Sequence, residues 1–278
     1  MKDIIFNVLD WNDKEVNEDE MSDESSSDSD LDYIIEAFGR TQDDKTVHLK
    51  IKGFTPYFYV EIPKAWKENN VKKFINYIKD KVYYQYKDGL IAYDIQKRNK
   101  LYGFRAGKRY KFVRLVFQNV TCMKKYQYIF FSKHKIYGLD NKFRNYDLYE
   151  SNIPPMLRFM HIQNLNASGW IEIKKGDYIK CDESNNTDIT IEAKWTDVKA
   201  PEDEVLNGSI SNLKILSFDL ECTSGDGSFP QANRESDQII QIGSTFSRNG
   251  SEECYYKNII TLGSCDPING VDVESYDT

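Results

Sequence analysis

The chain has 278 residues, 40% of them hydrophobic and 14% aromatic, enough apolar material for one large domain or two of ordinary size. No apolar run reaches the ~20 residues that span a bilayer, Met1-Lys-Asp-Ile-Ile-Phe lacks a secretory pattern, and five scattered cysteines without C-x-x-C spacing exclude a disulfide framework or zinc site. The net charge of -7 conceals a segregation. Residues 10–36 carry twelve Asp or Glu against Lys14, residues 45–175 carry 27 Lys or Arg against 9 acids, and residues 176–278 have 7 against 20. A basic middle of that size implies a polyanion nearby, and the cysteines read as reduced, mostly buried thiols of an intracellular protein.

Taken in order, residues 2–11 alternate as an opening strand. Residues 12–31 hold Asp19-Glu-Met-Ser-Asp-Glu-Ser-Ser-Ser-Asp-Ser-Asp30, too acidic and too poor in apolar residues to repay the entropy of ordering, so the spacing predicts a disordered insertion between two paired strands. Asp32–Phe38, Val47–Ile51 and Gly53–Ile62 read as strands, with a hairpin connection over Gly39–Lys45. Pro63 opens a helix over Lys64–Tyr83, because Val71, Phe74, Ile75, Ile78 and Val82 recur at helical spacing. Tyr93–Lys97 and Tyr110–Phe117 are strands, and Val120–Phe131 is a short helix or strand. Pro154–Met160 is a short helix, while Gly169–Ile173 and Asp188–Trp195 are strands. Lys199–Gly208 reads as a linker, which places a boundary near 200–212. Strands and helices mixed this way predict an α+β domain with a mainly antiparallel sheet.

The chemistry concentrates in Leu213-Lys-Ile-Leu-Ser-Phe-Asp-Leu-Glu-Cys222. Residues two apart on a strand share a face, so Asp219 and Glu221 present adjacent carboxylates at a strand end. Such a pair can hold divalent metal before a phosphodiester. A bare D-x-E is common and is more often a solvated pair. Here Ile215, Leu216 and Phe218 mark the segment as a buried core strand, Thr223–Pro230 is a flexible loop, and Gln238-Ile-Ile-Gln-Ile-Gly243 reads as a second buried strand pairing back. This is the opening of a ribonuclease-H-like sheet.

Phe218-Asp-Leu-Glu-Cys222 with Ile239-Ile-Gln-Ile-Gly243 resembles the first exonuclease motif of family B DNA polymerases. Gly53-Phe-Thr-Pro-Tyr-Phe-Tyr-Val60 resembles an N-terminal signature of the delta-type branch. So do Tyr102-Gly-Phe104 leading into Phe112–Phe117, and Tyr149-Glu-Ser-Asn-Ile-Pro-Pro-Met-Leu-Arg-Phe-Met160. The resemblance implies an N-terminal polymerase domain over 1–212 and the first strands of a 3′-5′ exonuclease domain over 213–278. It assigns Asp219 and Glu221 as catalytic metal ligands for two Mg²⁺ ions, in a site completed by residues beyond 278. Primer-template DNA and deoxynucleoside triphosphates follow as partners, with a sliding clamp reached through other regions and no membrane. The setting would be the nucleus or a viral replication site. The lysine- and tyrosine-rich style suggests a virus or protist, and the 278 residues by themselves are expected to be inactive.

Lys97-Arg-Asn-Lys-Leu-Tyr-Gly-Phe-Arg-Ala-Gly-Lys-Arg-Tyr-Lys-Phe-Val-Arg114 mixes cations, aromatics and glycines as nucleic-acid surfaces do. Lys97, Arg98, Lys100, Arg105, Lys108, Arg109, Lys111 and Arg114 are its candidate contacts. The bland alternative is a solvated strand pair. His48, His134 and His161 stand alone and read as structural or surface residues, and Gly225-Asp-Gly227 reads as a turn. The rival function is a non-catalytic single-stranded nucleic-acid-binding module with an RNA-recognition-like fold. Lys111–Phe117 suits it faintly, without that motif's glycine–aromatic spacing.

Overall fold

The computed structural model describes residues 2–16, 31–100, 106–181 and 186–277. Two compact units emerge, one ending at Ile210 and one beginning at Ser211. In the first unit, β1 (Ile4–Val16), β2 (Asp32–Arg40) and β3 (Thr46–Lys52) form an antiparallel meander. Then come β4 (Tyr57–Ile62), α1 (Glu68–Lys81), β5 (Leu90–Asn99), β6 (Arg109–Phe117), α2 (Val120–Ile129) and β7 (Leu148–Tyr149). The unit closes with α3 (Pro155–Gln163), β8 (Trp170–Ile173), β9 (Tyr178–Lys180), β10 (Ile189–Lys194) and the single turn α4 (Glu204–Asn207).

One sheet runs in the order β8-β1-β2-β3-β10-β9, with β3 and β10 parallel and the other pairs antiparallel. The other runs β5-β6-β4-β7 and is antiparallel throughout. The mixed, mainly antiparallel α+β class is therefore as predicted. Each sheet has its own core. Phe6, Val8, Ile35, Leu49, Ile171 and Ile191 meet Phe159 of α3 in the first. Phe58, Val60, Leu115 and Phe117 meet Phe74 of α1 and Tyr126 of α2 in the second. Val71, Phe74, Ile75 and Ile78 are the buried face of α1, but the helix starts only at Glu68, since Pro63–Trp66 closes a turn first. Residues 120–129 resolve to a helix because the Asn119 side chain accepts from the Cys122 N–H at 2.8 Å, an N-cap.

Three expectations are corrected. β1 does not stop at residue 11 but runs through Val16, into the stretch read as loop; residues 17–30 lie outside the described residues. Its polar residues find partners that the sequence does not reveal. Asp13 accepts from the Tyr33 hydroxyl at 2.9 Å, and Glu15 accepts from both the backbone and hydroxyl of Thr121 at the start of α2. Lys14 meets Glu36 at 2.8 Å, beside a 3.0 Å bond from His48. Second, the cysteines are free but only Cys122 is buried. Third, residues 199–208 contain α4, capped by Asp203.

The second unit is a four-stranded sheet, β11 (Lys214–Cys222), β12 (Ile239–Arg248), β13 (Cys254–Leu262) and β14 (Asp272–Tyr276), in that spatial order. The first three are antiparallel and β14 joins β13 in parallel. β13 and β14 were not anticipated. Within these 278 residues β11 is not the buried core strand that its apolar pattern predicts. Ile215, Leu216, Phe218 and Leu220 are all exposed, and β12 is only partly buried. No helix forms among the described residues of this unit, so neither face of the sheet has a covering layer from it.

Two positions test the first unit. A Cβ at Gly39 would lie 2.2 Å from the Asn7 carbonyl oxygen, at the irregularity where β1 slips register between Val8 and Asp10. Gly39→Ala should therefore destabilise by about 2–4 kcal/mol in urea unfolding. Burial works to raise the Glu36 carboxyl, but hydrogen bonds from Lys14 and His48 outweigh it and hold the group below the usual carboxylate range. A depressed folded pKa contributes stability that is present above the unfolded value near 4.5 and is lost as pH falls through the folded one. Unfolding midpoints taken between neutrality and acid should fall less steeply in Glu36→Gln than in the parent chain.

Candidate metal centre and nucleic-acid interface

Period-two alternation along β11 places Asp219 and Glu221 on one side of the sheet, opposite Gly243 and Gln241 of β12. Both are exposed, and neither has an ion-pair partner among the described residues. One Asp219 oxygen accepts from the Leu220 N–H at 2.9 Å, leaving the other outward. Beside it, a Cβ added at Gly243 would meet nothing within 4 Å, so the space next to Asp219 is clear. The donor set is hard oxygen, suited to Mg²⁺. Two carboxylates are only part of a site. Among the described residues no group of three or more His, Cys, Asp or Glu side chains is placed to hold an ion.

The loop between β11 and β12 is better ordered than its Gly- and Ser-rich sequence suggests. Asp237 accepts from the backbone of Gly225 at 2.9 Å and of Gln231 at 3.1 Å, and these bonds hold its carboxyl below the usual range. Asp226 receives both the N–H and hydroxyl of Ser228 and pairs with Arg234 at 2.9 Å. Gly227 takes φ 74°, as a turn requires.

The predicted basic contacts separate. Arg98 and Arg114 sit over the sheet formed by β4–β7, Arg98 4.7 Å from the Tyr59 ring and Arg114 5.3 Å from Tyr57. Arg114 also pairs with Asp94 at 2.6 Å, and Arg158 of α3 covers Tyr57 at 4.1 Å. The aromatic face is thereby closed: Tyr59 and Phe112 are buried, and burial pushes the Tyr59 hydroxyl up to about 12. Lys97 lies on exposed β5, its carbonyl accepting from Arg109 at 2.6 Å. Arg105 lies outside the described residues.

Lys100, Lys108, Arg109 and Lys111 instead converge on a cleft of about 430 Å³. Lys64, from the turn before α1, and Arg144, from the segment after α2, join them. Sequence reasoning missed both, because they reach the cleft from separate elements and no spacing connects them. Six cations face the carboxylates of Glu61 and Asp147 there. Lys100 is committed to Glu61 at 2.6 Å and lies 4.3 Å from the Tyr110 ring, and Lys111 donates to the Trp66 carbonyl. Lys64, Lys108 and Arg109 are exposed and give the cleft its surplus of positive charge.

The model for the exonuclease domain of DNA polymerase family B matches residues 146–278, from β7 through β14. A DNA polymerase of Acanthamoeba polyphaga mimivirus is 42% identical over 99% of this chain. The chain belongs to family B of the DNA polymerases. Within that family, a DNA polymerase of Paramecium bursaria Chlorella virus NY2A is 29% identical over 99% of the chain, and a DNA polymerase delta catalytic subunit of Oryza sativa subsp. japonica 27% over 88%. The chain spans 16% of the mimivirus protein, 27% of the chlorella-virus protein and 22% of the rice protein. A family B DNA polymerase from the archaeon Pyrobaculum calidifontis shares the fold at a TM-score of 0.62 and 16% identity, over 97% of this chain and 27% of that one.

Proposed function

We propose that this chain is the N-terminal part of a replicative, delta-like family B DNA polymerase, with Asp219 and Glu221 as metal ligands of its 3′-5′ exonuclease. One observation carries the reading: the two carboxylates share a side of β11, exposed and without a cationic partner among the described residues. Bound Mg²⁺ would supply Lewis-acid stabilisation of the charge that develops on a phosphodiester under attack. The chain's own part is to hold that pair apart from lysine and arginine on a rigid strand, with Gly243 leaving room alongside. On this reading residues 1–212 form the polymerase N-terminal domain and residues 213–278 open the exonuclease domain. Primer-template DNA and deoxynucleotides are the substrates of the whole enzyme.

The cationic cleft supports the second part of the proposal, contact with the DNA backbone. Lys64, Lys108 and Arg109 come from the turn before α1 and from the start of β6, so they would act as point charges on phosphates rather than as base readers. A rival reading draws on the order of elements from β4 to β7. It is the β-α-β-β-α-β order of the split βαβ fold that RNA-recognition modules use, with the strands arranged β5-β6-β4-β7. Such modules stack bases on sheet aromatics. Here Tyr57, Tyr59 and Phe112 lie under Arg98, Arg114 and Arg158 or are buried, which speaks for the polymerase reading.

In a polymerase extended to the length of its relatives, Asp219→Ala should abolish 3′-5′ degradation of a mispaired primer while leaving primer extension intact. Loss of both activities together would assign the pair a structural role. The 278 residues by themselves should show no Mg²⁺-dependent nuclease activity, because two carboxylates leave most of an ion's coordination to water. Replacing Lys108 and Arg109 together with Glu should weaken DNA binding across sequences and lower the slope of log K against log salt by about 2. An unchanged slope would remove the cleft from the interface.

A further inference from the structure

A second surface of the first unit has no part in the cleft's chemistry or the carboxylate pair. Large aromatics are usually covered, yet one in α2 and three between α2 and β7 are not: Tyr128 is 66% exposed, Phe131 81%, Tyr137 99% and Phe143 66%. Two of them are neighbours. The rings of Tyr128 and Phe131 lie 5.6 Å apart at the end of α2. The next residues run extended, and His134 pairs with Arg144 in an antiparallel bridge, with both backbone bonds at 2.9 Å.

Alternation at that bridge sorts the side chains. His134 and Ile136 are buried, and the His134 ring is pinned by the Tyr77 hydroxyl at 3.0 Å and the Ile129 carbonyl at 2.7 Å. Lys133, Lys135 and Tyr137 consequently face outward, and Phe143, one residue before Arg144, lies across from Lys135. Charge on this surface has one sign. Residues 120–146 carry six Lys or Arg and a single acid, Asp140. That acid is buried, accepting from the Tyr146 hydroxyl at 2.6 Å and the Ile136 N–H at 3.1 Å, with Arg144 at 3.7 Å.

We propose that Tyr128, Phe131, Tyr137 and Phe143, with Lys133 and Lys135, form a stacking platform for single-stranded nucleic acid. Exposed π-faces interleaved with lysines suit bases and phosphates in alternation. Protein interfaces instead deplete lysine around their aromatics, so charge complementarity favours a nucleic acid over a protein partner. The platform stands independently of the exonuclease reading, since Asp219→Ala should leave its binding unaltered.

The test is fluorescence anisotropy of a labelled oligothymidylate of about 20 nucleotides, titrated with the 278-residue chain. Replacing Phe131 and Phe143 together with Ala should weaken binding about tenfold or more, as loss of base–aromatic stacking does. An abasic oligonucleotide of the same length should lose nothing from the substitutions, and neither should a hairpin duplex. Because both side chains are exposed, the variant should melt as the parent does. Should it melt lower, Tyr137→Ala supplies the same comparison from a side chain with almost no packing. Binding within about twofold of the parent, or an equal loss on abasic and thymidine strands, overturns the platform.

Discussion

Two carboxylates on the same side of a strand repel, and how strongly depends on the medium around them. At the ~7 Å spacing of alternate strand residues, two unit charges in water cost well under about 1 kcal/mol, but several times more in a protein interior. Among the described residues Asp219 and Glu221 have no lysine or arginine partner and stand on an exposed strand. In a buried strand the same two acids would need a counter-ion, which a bound cation can itself supply.

The first unit solves a different electrostatic problem. Its acidic β1 and basic sheet lie in one compact unit, and contacts between them are few and specific. Glu15 satisfies the start of α2 through Thr121, a carboxylate at a helix N-terminus, where the backbone N–H groups lack partners. Asn119 donates to the Leu31 carbonyl at 2.8 Å, and Gln118 reaches Asp32. These bonds tie the end of the β1–β2 pair to the helix that backs the second sheet. Val120 packs against both cores at the same point. Arginines take up the remaining strain of a mixed surface by lying flat on Tyr57 and Tyr59, where their stems bury area and their charge meets the ring face.

Cationic side chains consequently divide by task rather than by position in the chain. Arg98 and Arg114, two of the candidates in the Lys97–Arg114 run, seal a sheet. Lys100 and Lys111 are held by Glu61 and the Trp66 carbonyl. Exposed charge remains at Lys64, Lys108 and Arg109, contributed by two separate stretches of chain. Spacing in the sequence marks the run as basic, and only three-dimensional neighbours decide which charges stay available to a ligand.

What the sequence by itself determined was whatever depends on residues near in the chain. The buried stripe of α1, the strand character of β2 to β6, and the adjacency of Asp219 and Glu221 all rest on local periodicity and composition. Tertiary structure alone decided what depends on distant partners. It continued β1 to Val16, because Tyr33, Glu36 and Thr121 supply the bonds its polar residues need. It paired β3 with β10 in parallel across more than a hundred residues and brought Lys64 and Arg144 to one cleft. Hydrophobicity says that a residue seeks cover, but which atoms supply that cover is a property of the assembled fold.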